Sequence, residues 1–566
     1  MSLRYVIGLF LPQVLALAVR NSLSQSCRSI PGDASWPSPS QWDSLNQTVG
    51  GKLIATTPIA SPCHTTLYNQ ENPGFDEEQC AALRDVWYYP ETHLPSPSSP
   101  MAYQFTNNSC NPFLDPDTPC DIGYYVAYTI NATTTTDIQA GIAFVEEHNI
   151  RLVIRNSGHD YLGKSTGAHA LAIWTHYMKS LELVESYSGP GDYSGVAIKA
   201  GAGIEDIEAY EFAQSNGLMV AGGNCPSVGL TGGFTQGGGI SILSSRVGMG
   251  ADQALEFEVV TGKGEILTAN ADENADLFWA LRGGGGGTYG VVTSMTAKAY
   301  SDTYFSVAYL TVIKNGTNED ALYGSLGTFL QSLPSLVDAG AWVVFVGTPE
   351  VFLIMPAMGA DLHPADLDAL LKPFLDKMDS FALEYTYSSA EYPDFLSGYN
   401  SMTSTWNVSD NNLASRLIPR ELVKSNESTE ALVAAIRSIT TETIMSGVAF
   451  NAAGGVASAD DVAVNPYFRK TLFSATLGTT IDYTDFEANK AAQDRLTYDL
   501  VPRLKALTPD GAAYLNEGDF QEPDFQTAFY GSHYDQLLSI KNKYDPKDIF
   551  YAKTAVGSDS WAQGLE

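Results

Sequence analysis

Positive charge is scarce in this sequence. Its 566 residues carry 31 Lys and Arg against 64 Asp and Glu, a formal net charge of −33. A chain so acidic repels phosphate backbones and anionic bilayers, which argues against a nucleic acid or a membrane as partner. The same balance fits a protein exposed to an acidic medium. Long apolar runs are missing too. The stretch Tyr5–Val19 is too short to span a bilayer, and no later stretch reaches that length. Cysteines number only six and include no zinc-spaced pairs. There is no HExxH, so a metal site of the zinc-peptidase kind has no support.

What is present points to a folded, exported protein. The 30 Tyr and 24 Phe supply burial that a disordered acidic chain would not have, and the length suggests more than one domain. Met1–Arg4 is a short basic start, Tyr5–Val19 an apolar core, and polar residues follow, so residues 1–26 read as a signal peptide. Sequons at Asn46, Asn107, Asn131, Asn315, Asn407 and Asn426 favour the secretory route. Cys27, Cys63, Cys80, Cys110 and Cys120 cluster in the first quarter, where disulfides of open connectivity are expected, with one thiol left over. Cys225 stands apart.

Residues 27–117 are rich in Pro, Ser and Asn and read as a wrapping extension. Regular structure begins near residue 124. "TTTDIQAGIAFVEEHN" has helical spacing, "RLVIR" is a short strand, "GIEDIEAYEFAQSNG" is a helix ended by Gly217, and "EFEVVTGKGEILTA" is a hairpin. Past residue 300 come strand-like runs such as "FSVAYLTVI" and "GAWVVFVGT" and helix-like runs such as "DLDALLKPFLDKM". They predict a sheet with helices on one face. In the tail, "QTAFYGSHYDQLLSIKNKYD" reads as a helix closed by Asp545-Pro546.

The glycine-rich turns carry the chemistry. "RNSGHDYLGKS", residues 155–165, follows a strand, and its successive amides make an anion concavity into which His159 would point. "GGNCPSVGLTGGFTQGGG", residues 222–239, places Cys225 among glycines that can lie flat against a ligand. "LRGGGGGTYG", residues 281–290, is preceded by a helix and followed by a strand, the reverse of the Rossmann order.

Taken in order, Arg-x-x-Gly-His-Asp-x-x-Gly-x-Ser, Cys-Pro-Ser-Val-Gly, Asp-Leu-Phe-Trp-Ala-Leu-Arg-Gly-Gly-Gly-Gly and the tail "YLNEGDF" resemble the berberine-bridge-enzyme-like branch of the vanillyl-alcohol-oxidase flavoproteins. The opening "PGDASWPS" is similar to the fungal isoamyl-alcohol-oxidase-like subgroup, which usually has cysteines where this chain has Ser29 and Ser35. The resemblance implies an α+β fold: a two-part PCMH-type FAD-binding domain over 118–300, an antiparallel substrate domain covered by helices over 301–510, and a segment over 511–566 that returns to the FAD domain.

It also implies FAD, bonded covalently through His159 at the 8α-methyl and through Cys225 at C6. Arg155, Asn156, Ser157, Gly158 and Asp160 match the pyrophosphate loop. Ser227, Val228, Gly229, Gly232 and Gly233 match the wall beside the isoalloxazine, with Thr231 as a one-residue insertion. Val291 matches a backbone contact and Asn516 a flavin-proximal asparagine. Tyr514 and Glu517 are the candidate bases. The valine at 228 goes with oxygen access in the branch. The expected activity is oxidation of an alcohol or hydroxylated small molecule with hydrogen peroxide as by-product. The alternative is oxidative cyclisation or dehydrogenation of a secondary-metabolite intermediate.

Overall fold

The computed structural model describes residues 27–561 except 315, 317, 403–406 and 455–457. The expected signal peptide and the sequon asparagine at 315 lie outside the described residues.

A four-stranded sheet has the order β1-β2-β4-β3, from β1 (Leu53–Ala55), β2 (Tyr128–Asn131), β3 (Leu152–Arg155) and β4 (Leu171–Trp174). β4 pairs in parallel with both β2 and β3. Parallel neighbours need a crossover, supplied here by helix α1 (Thr135–His148). α1 starts where the Asp137 carboxylate accepts the Thr133 and Thr134 amides and the Thr134 hydroxyl caps the Asp137 amide. Ile138, Ile142 and Val145 on one face of α1 pack with Ile130, Leu152 and Ile173 of the strands, as their spacing predicts.

A five-stranded antiparallel sheet follows, built from β5 (Leu181–Tyr187), β6 (Gly195–Gly201), β7 (Ala254–Val260), β8 (Ile266–Asn270) and β9 (Val291–Lys298) in the order β8-β7-β9-β6-β5. Gly264, at φ +75°, turns the β7–β8 hairpin. Helix α2 (Asp206–Ser215) precedes Gly217, which takes φ +68°.

A third sheet has seven strands: β10 (Phe305–Ile313), β11 (Ala341–Gly347), β12 (Val351–Ala360), β13 (Glu384–Tyr392), β14 (Asn411–Pro419), β15 (Ile444–Ala449) and β16 (Thr471–Thr480). Their order is β13-β10-β12-β11-β15-β16-β14, and all pairs are antiparallel. Side chains alternate faces along a strand. Trp342 and Val344 of β11 face the core shared with the second sheet. Ala341, Val343 and Phe345 face a separate core under helices α3 (Glu319–Asp338), α4 (Pro364–Phe381) and α6 (Asn426–Thr440). A short helix α5 (Phe395–Met402) lies between α4 and α6 in sequence and packs Phe395 and Tyr399 into the shared core. The fold is α+β, with α3, α4 and α6 on one face of the large sheet.

Two local expectations change. Residues 39–48, read as loop, form a helix. Ser38 and Gln41 make a capping box and Pro39 takes the first turn, where a missing amide costs nothing. The tail helix is not continuous over "QTAFYGSHYDQLLSIKNKYD". Gly531 at φ +58° breaks it, and helix α7 runs only over Tyr534–Tyr544. The cysteine cluster resolves into Cys63–Cys80 and Cys110–Cys120, with Cys27 outside both bridges. Ser29 Oγ and Ser35 Oγ lie 2.7 Å apart, so the two hydroxyls meet where the resemblance places a cysteine pair.

Candidate active site

A cavity lies where the three glycine turns converge with the C-terminal segment. The first turn contributes Asn156, Ser157, Gly158, His159 and Asp160, the second Gly232 and Gly233, the third Gly286 and Gly287, and the tail Leu515, Asn516 and Phe550.

The first turn is built around Arg155. Its side chain is fully buried, Nη2 donates to the His93 carbonyl, and a Cβ on Gly158 would come within 2.8 Å of that nitrogen. The guanidinium thus fills the inside of the turn instead of facing the cavity, and Gly158 at φ +89° lets the chain wrap it. Asp160 closes the turn by accepting the Leu162 and Ser165 amides at 3.0 and 2.8 Å. Burial raises its carboxyl against those bonds and the nearby Lys164. Asn156 lines the cavity, and its side chain also ties the turns together. Its amide donates to the Ala202 carbonyl and to Thr175 Oγ1, and its Oδ1 lies 1.9 Å from where a Cβ on Gly229 would sit.

His159 lines the cavity, and its Nε2 lies 2.8 Å from Ser227 Oγ, leaving Nδ1 as the ring nitrogen available for bonding. Burial lowers the imidazole to about 3, with His93 and Arg155 adding to the shift, so the ring is neutral. Ser227 Oγ in turn lies 3.7 Å from Cys225 Sγ. His159 and Cys225, 66 residues apart in sequence, therefore share one hydroxyl neighbour. Burial pushes the Cys225 thiol up to about 11, opposed by the bonds from Ser227. The turn that carries Cys225 is anchored from behind. The Asp206 and Ile207 amides at the start of α2 donate to the Val228 and Pro226 carbonyls, and Asp206 Oδ2 accepts the Gly223 amide. Tyr210 and Tyr399 donate to the Gly223 and Asn224 carbonyls. Val228 is half-buried against the shared core.

The Val291 side chain is buried in the core that also holds Trp42, Val260 and Phe550, and its neighbours Gly290 and Val292 line the cavity. Thr231 is fully buried. Tyr514 is buried as well. Its phenol oxygen accepts the Ile240 amide at 3.2 Å and the Asn516 side-chain amide at 3.0 Å. Burial raises its pKa and Glu517 raises it further, while the two donors favour the phenolate and oppose the shift. Glu517 is half-buried and accepts from Thr476 Oγ1 of β16 at 3.0 Å. Burial raises its carboxyl, opposed by that bond.

Sequence reasoning passed over several neighbours. Tyr161 has its phenol raised by burial, with Cys225, Glu517 and Asp410 adding to the shift. Lys164 reaches the cavity, where burial lowers it to about 8 against the pull of Asp160. His93, from the extension, accepts Arg155 through its carbonyl while its ring is held between Ser99 Oγ and the Trp87 carbonyl. The motif itself signalled Tyr161 and Lys164. Nothing local signalled His93, because it joins the site through a fold contact 62 residues from Arg155.

Known proteins share this sequence pattern and this fold. An FAD binding domain pattern matches residues 126–270, and the "Berberine and berberine like" pattern matches 513–557. The chain is 40% identical over 98% of its length to FAD-linked oxidoreductase sor8 of Hypocrea jecorina, covering 94% of that protein. The chain belongs to the VAO-type, berberine-bridge-enzyme-like FAD-linked oxidoreductases. Members of this family similar to it include VAO-type flavoprotein oxidase VAO615 of Thermothelomyces thermophilus, at 38% identity over 97% of this chain and 96% of that one. Bifunctional decalin synthase calF of Penicillium decumbens is 39% identical over 96% of each. Among solved structures, the VAO-type flavoprotein MtVAO615 from Myceliophthora thermophila C1 superposes with a TM-score of 0.90 at 36% identity, covering 95% of this chain and 99% of that one. The fold alone is shared with Acremonium strictum glucooligosaccharide oxidase, whose flavin is described as 6-S-cysteinyl, 8α-N1-histidyl FAD. That match has a TM-score of 0.64 at 20% identity and covers 77% and 92% of the two chains.

The residues present fit FAD. Gly233 is exposed on the cavity wall and a Cβ built there would meet no atom within 4 Å, so the wall is a backbone cradle with open space above it. The FAD-dependent oxidoreductase of this chain therefore places backbone, one neutral imidazole and one ammonium on that space.

Proposed function

We propose that this protein is exported through the secretory route and holds FAD by two covalent bonds, at His159 and Cys225. In this reading it oxidises an alcohol or a hydroxylated small molecule and passes the electrons to molecular oxygen. The observation that carries the reading is the pairing of His159 and Cys225 across Ser227, with legs of 2.8 and 3.7 Å. The 8α-methyl and C6 lie on the same benzenoid ring, so two nucleophiles so close together suit both attachment points. The chemistry FAD supplies is acceptance of a hydride from a substrate C–H bond and return of the electron pair to dioxygen as hydrogen peroxide.

The chain's own residues do the rest. The Asp160 turn and Lys164 set one wall of the site and the Gly232–Gly233 backbone the other. Glu517 takes up the substrate hydroxyl proton. Its carboxylate retains lone pairs beyond the Thr476 bond, whereas the Tyr514 oxygen already accepts two donors. Export is supported by the basic and apolar start, by the two disulfides and by the exposure of Asn107, Asn407 and Asn426 as glycan sites. Asn131 has its Oδ1 buried and Asn46 accepts the Leu53 amide, so these sequons are poorer acceptors.

Similarity to a decalin synthase favours one second reading, in which the same hydride step drives ring formation or desaturation of a metabolite. A panel of alcohols mixed anaerobically with the holoenzyme distinguishes the two. Bleaching of the flavin by an alcohol, followed by carbonyl product and stoichiometric peroxide in air, supports the oxidase. Reduced enzyme that reoxidises only slowly in air rejects it. E517Q should lower kcat/KM by about 10²–10⁴-fold without loss of bound flavin.

A further inference from the structure

Ser227 is buried, 4% exposed, and its hydroxyl is the only side-chain group bonded to both His159 and Cys225 among the described residues. Its position is preset. The surrounding turn is held by the Val228 amide on the Cys225 carbonyl at 3.3 Å, and by the Asp206 and Ile207 amides on the Val228 and Pro226 carbonyls at 2.8 and 3.0 Å. A hydroxyl has one proton to give and lone pairs to receive. To attack a carbon, His159 must present a lone pair at Nδ1, which places its ring proton on Nε2. Nε2–H then donates to Ser227 Oγ, 2.8 Å away, and the serine's own proton turns to the acceptor left within reach, the Cys225 sulfur.

We propose that Ser227 is the positioning residue for both flavin attachments, holding His159 in the tautomer that is nucleophilic at Nδ1 and supporting Cys225 as a thiolate through the same hydroxyl. This rests on the two-bond reading above. Each attachment replaces one C–H of the ring system by a bond to N or S. The proton leaves to solvent, the nucleophile's electron pair forms the new bond, and the two electrons left on the ring are removed by dioxygen, which becomes hydrogen peroxide. A thiol is a poor nucleophile until ionised, so a group that favours the thiolate sets the rate. The neutral state of His159 and the upward shift of Cys225, which the Ser227 bonds oppose, agree with this division of labour.

The test uses full-length protein harvested at fixed times after induction, denatured in acid and mapped by peptide mass for flavin at His159 and at Cys225. S227A should lower the early fraction linked at each residue by roughly tenfold, the effect of one pKa unit on the reactive form. S227T, which keeps the hydroxyl, should restore both, with FAD content and thermal midpoint unchanged across the three proteins. The same S227A loss should appear at His159 in a C225A background and at Cys225 in an H159A background. Full linkage in S227A, an effect confined to one of the two residues, or equal failure of S227T overturns the proposal while leaving the two-bond reading intact. A wild type without flavin on either peptide overturns both.

Discussion

The glycine turns around the cavity and the seven-stranded sheet beside them are neighbours ordered by different forces. The sheet is held by period-two burial. β11 sends Trp342 and Val344 to one core and Val343 and Phe345 to the other, and across the β11–β15 pair the Phe345 ring lies over Gly447, where a Cβ would come within 2.1 Å of it. The turns bury little of their own. They are fixed by polar ties, such as Asn156 to Ala202 and Thr175, Asp160 to two amides, and Asp206 to Gly223, and by places where a backbone passes closer than any side chain permits. A hydrophobic sheet loses stability in proportion to what is removed from it. A set of turns fixed by close approach and single bonds loses its ligand geometry at one substitution.

The sharpest contrast is expected at Gly229. A Cβ there would meet Asn156 Oδ1 at 1.9 Å, so G229A should abolish flavin binding, read as the ratio of flavin to protein absorbance after purification. Next comes the core of the sheet. Phe345 is fully buried, and F345A should cost about 3–5 kcal/mol in chemical denaturation, while the protein that remains folded keeps its flavin. A wild-type flavin ratio in G229A, or a flavin-free F345A, would erase the distinction between the two regions.

A smaller effect is expected from Asp519, a buried polar tie in the tail that accepts from Gln493 and Thr497. Burial pushes its carboxyl up to about 6, against the bonds from Thr497 and the Gln521 amide. The native state then binds the proton more tightly than the unfolded chain, so this group's stabilising share is present at low pH and is lost as pH rises towards the folded pKa. Stability should fall between about pH 4 and 6 by at most roughly 3 kcal/mol on this account, and D519N should flatten that slope. A slope unchanged in D519N would assign the pH dependence elsewhere. Smallest of all is G347A at the end of β11. A Cβ there meets nothing within 4 Å, so a change beyond about 0.5 kcal/mol would show that the sheet is less tolerant than its packing implies.

The same division explains what could be read before the structure. The strands at 305–313 and 341–347 and the helix at 135–148 show their period directly, because burial on one face writes a pattern into the sequence. The glycine turns, His159 and Cys225 stand out because close backbone approach leaves glycine as the tolerated residue. Groups that join the site across the fold leave no local trace. His93 reaches Arg155 from the Pro/Ser-rich extension, the Arg155 side chain turns into its own loop, and Ser227 links two residues far apart in sequence. The helix at 39–48 was hidden for a different reason. Proline and serine read as loop by composition, while the order Ser38-Pro39-x-Gln41 is a helix start.

The central claim is that the flavin is bonded to the protein at two places, and it can be tested most directly by precipitating the purified protein in acid and mapping the pellet. The account predicts a yellow pellet whose proteolytic fragments carry flavin on both the His159 and the Cys225 peptides. A colourless pellet beneath a yellow supernatant would contradict it.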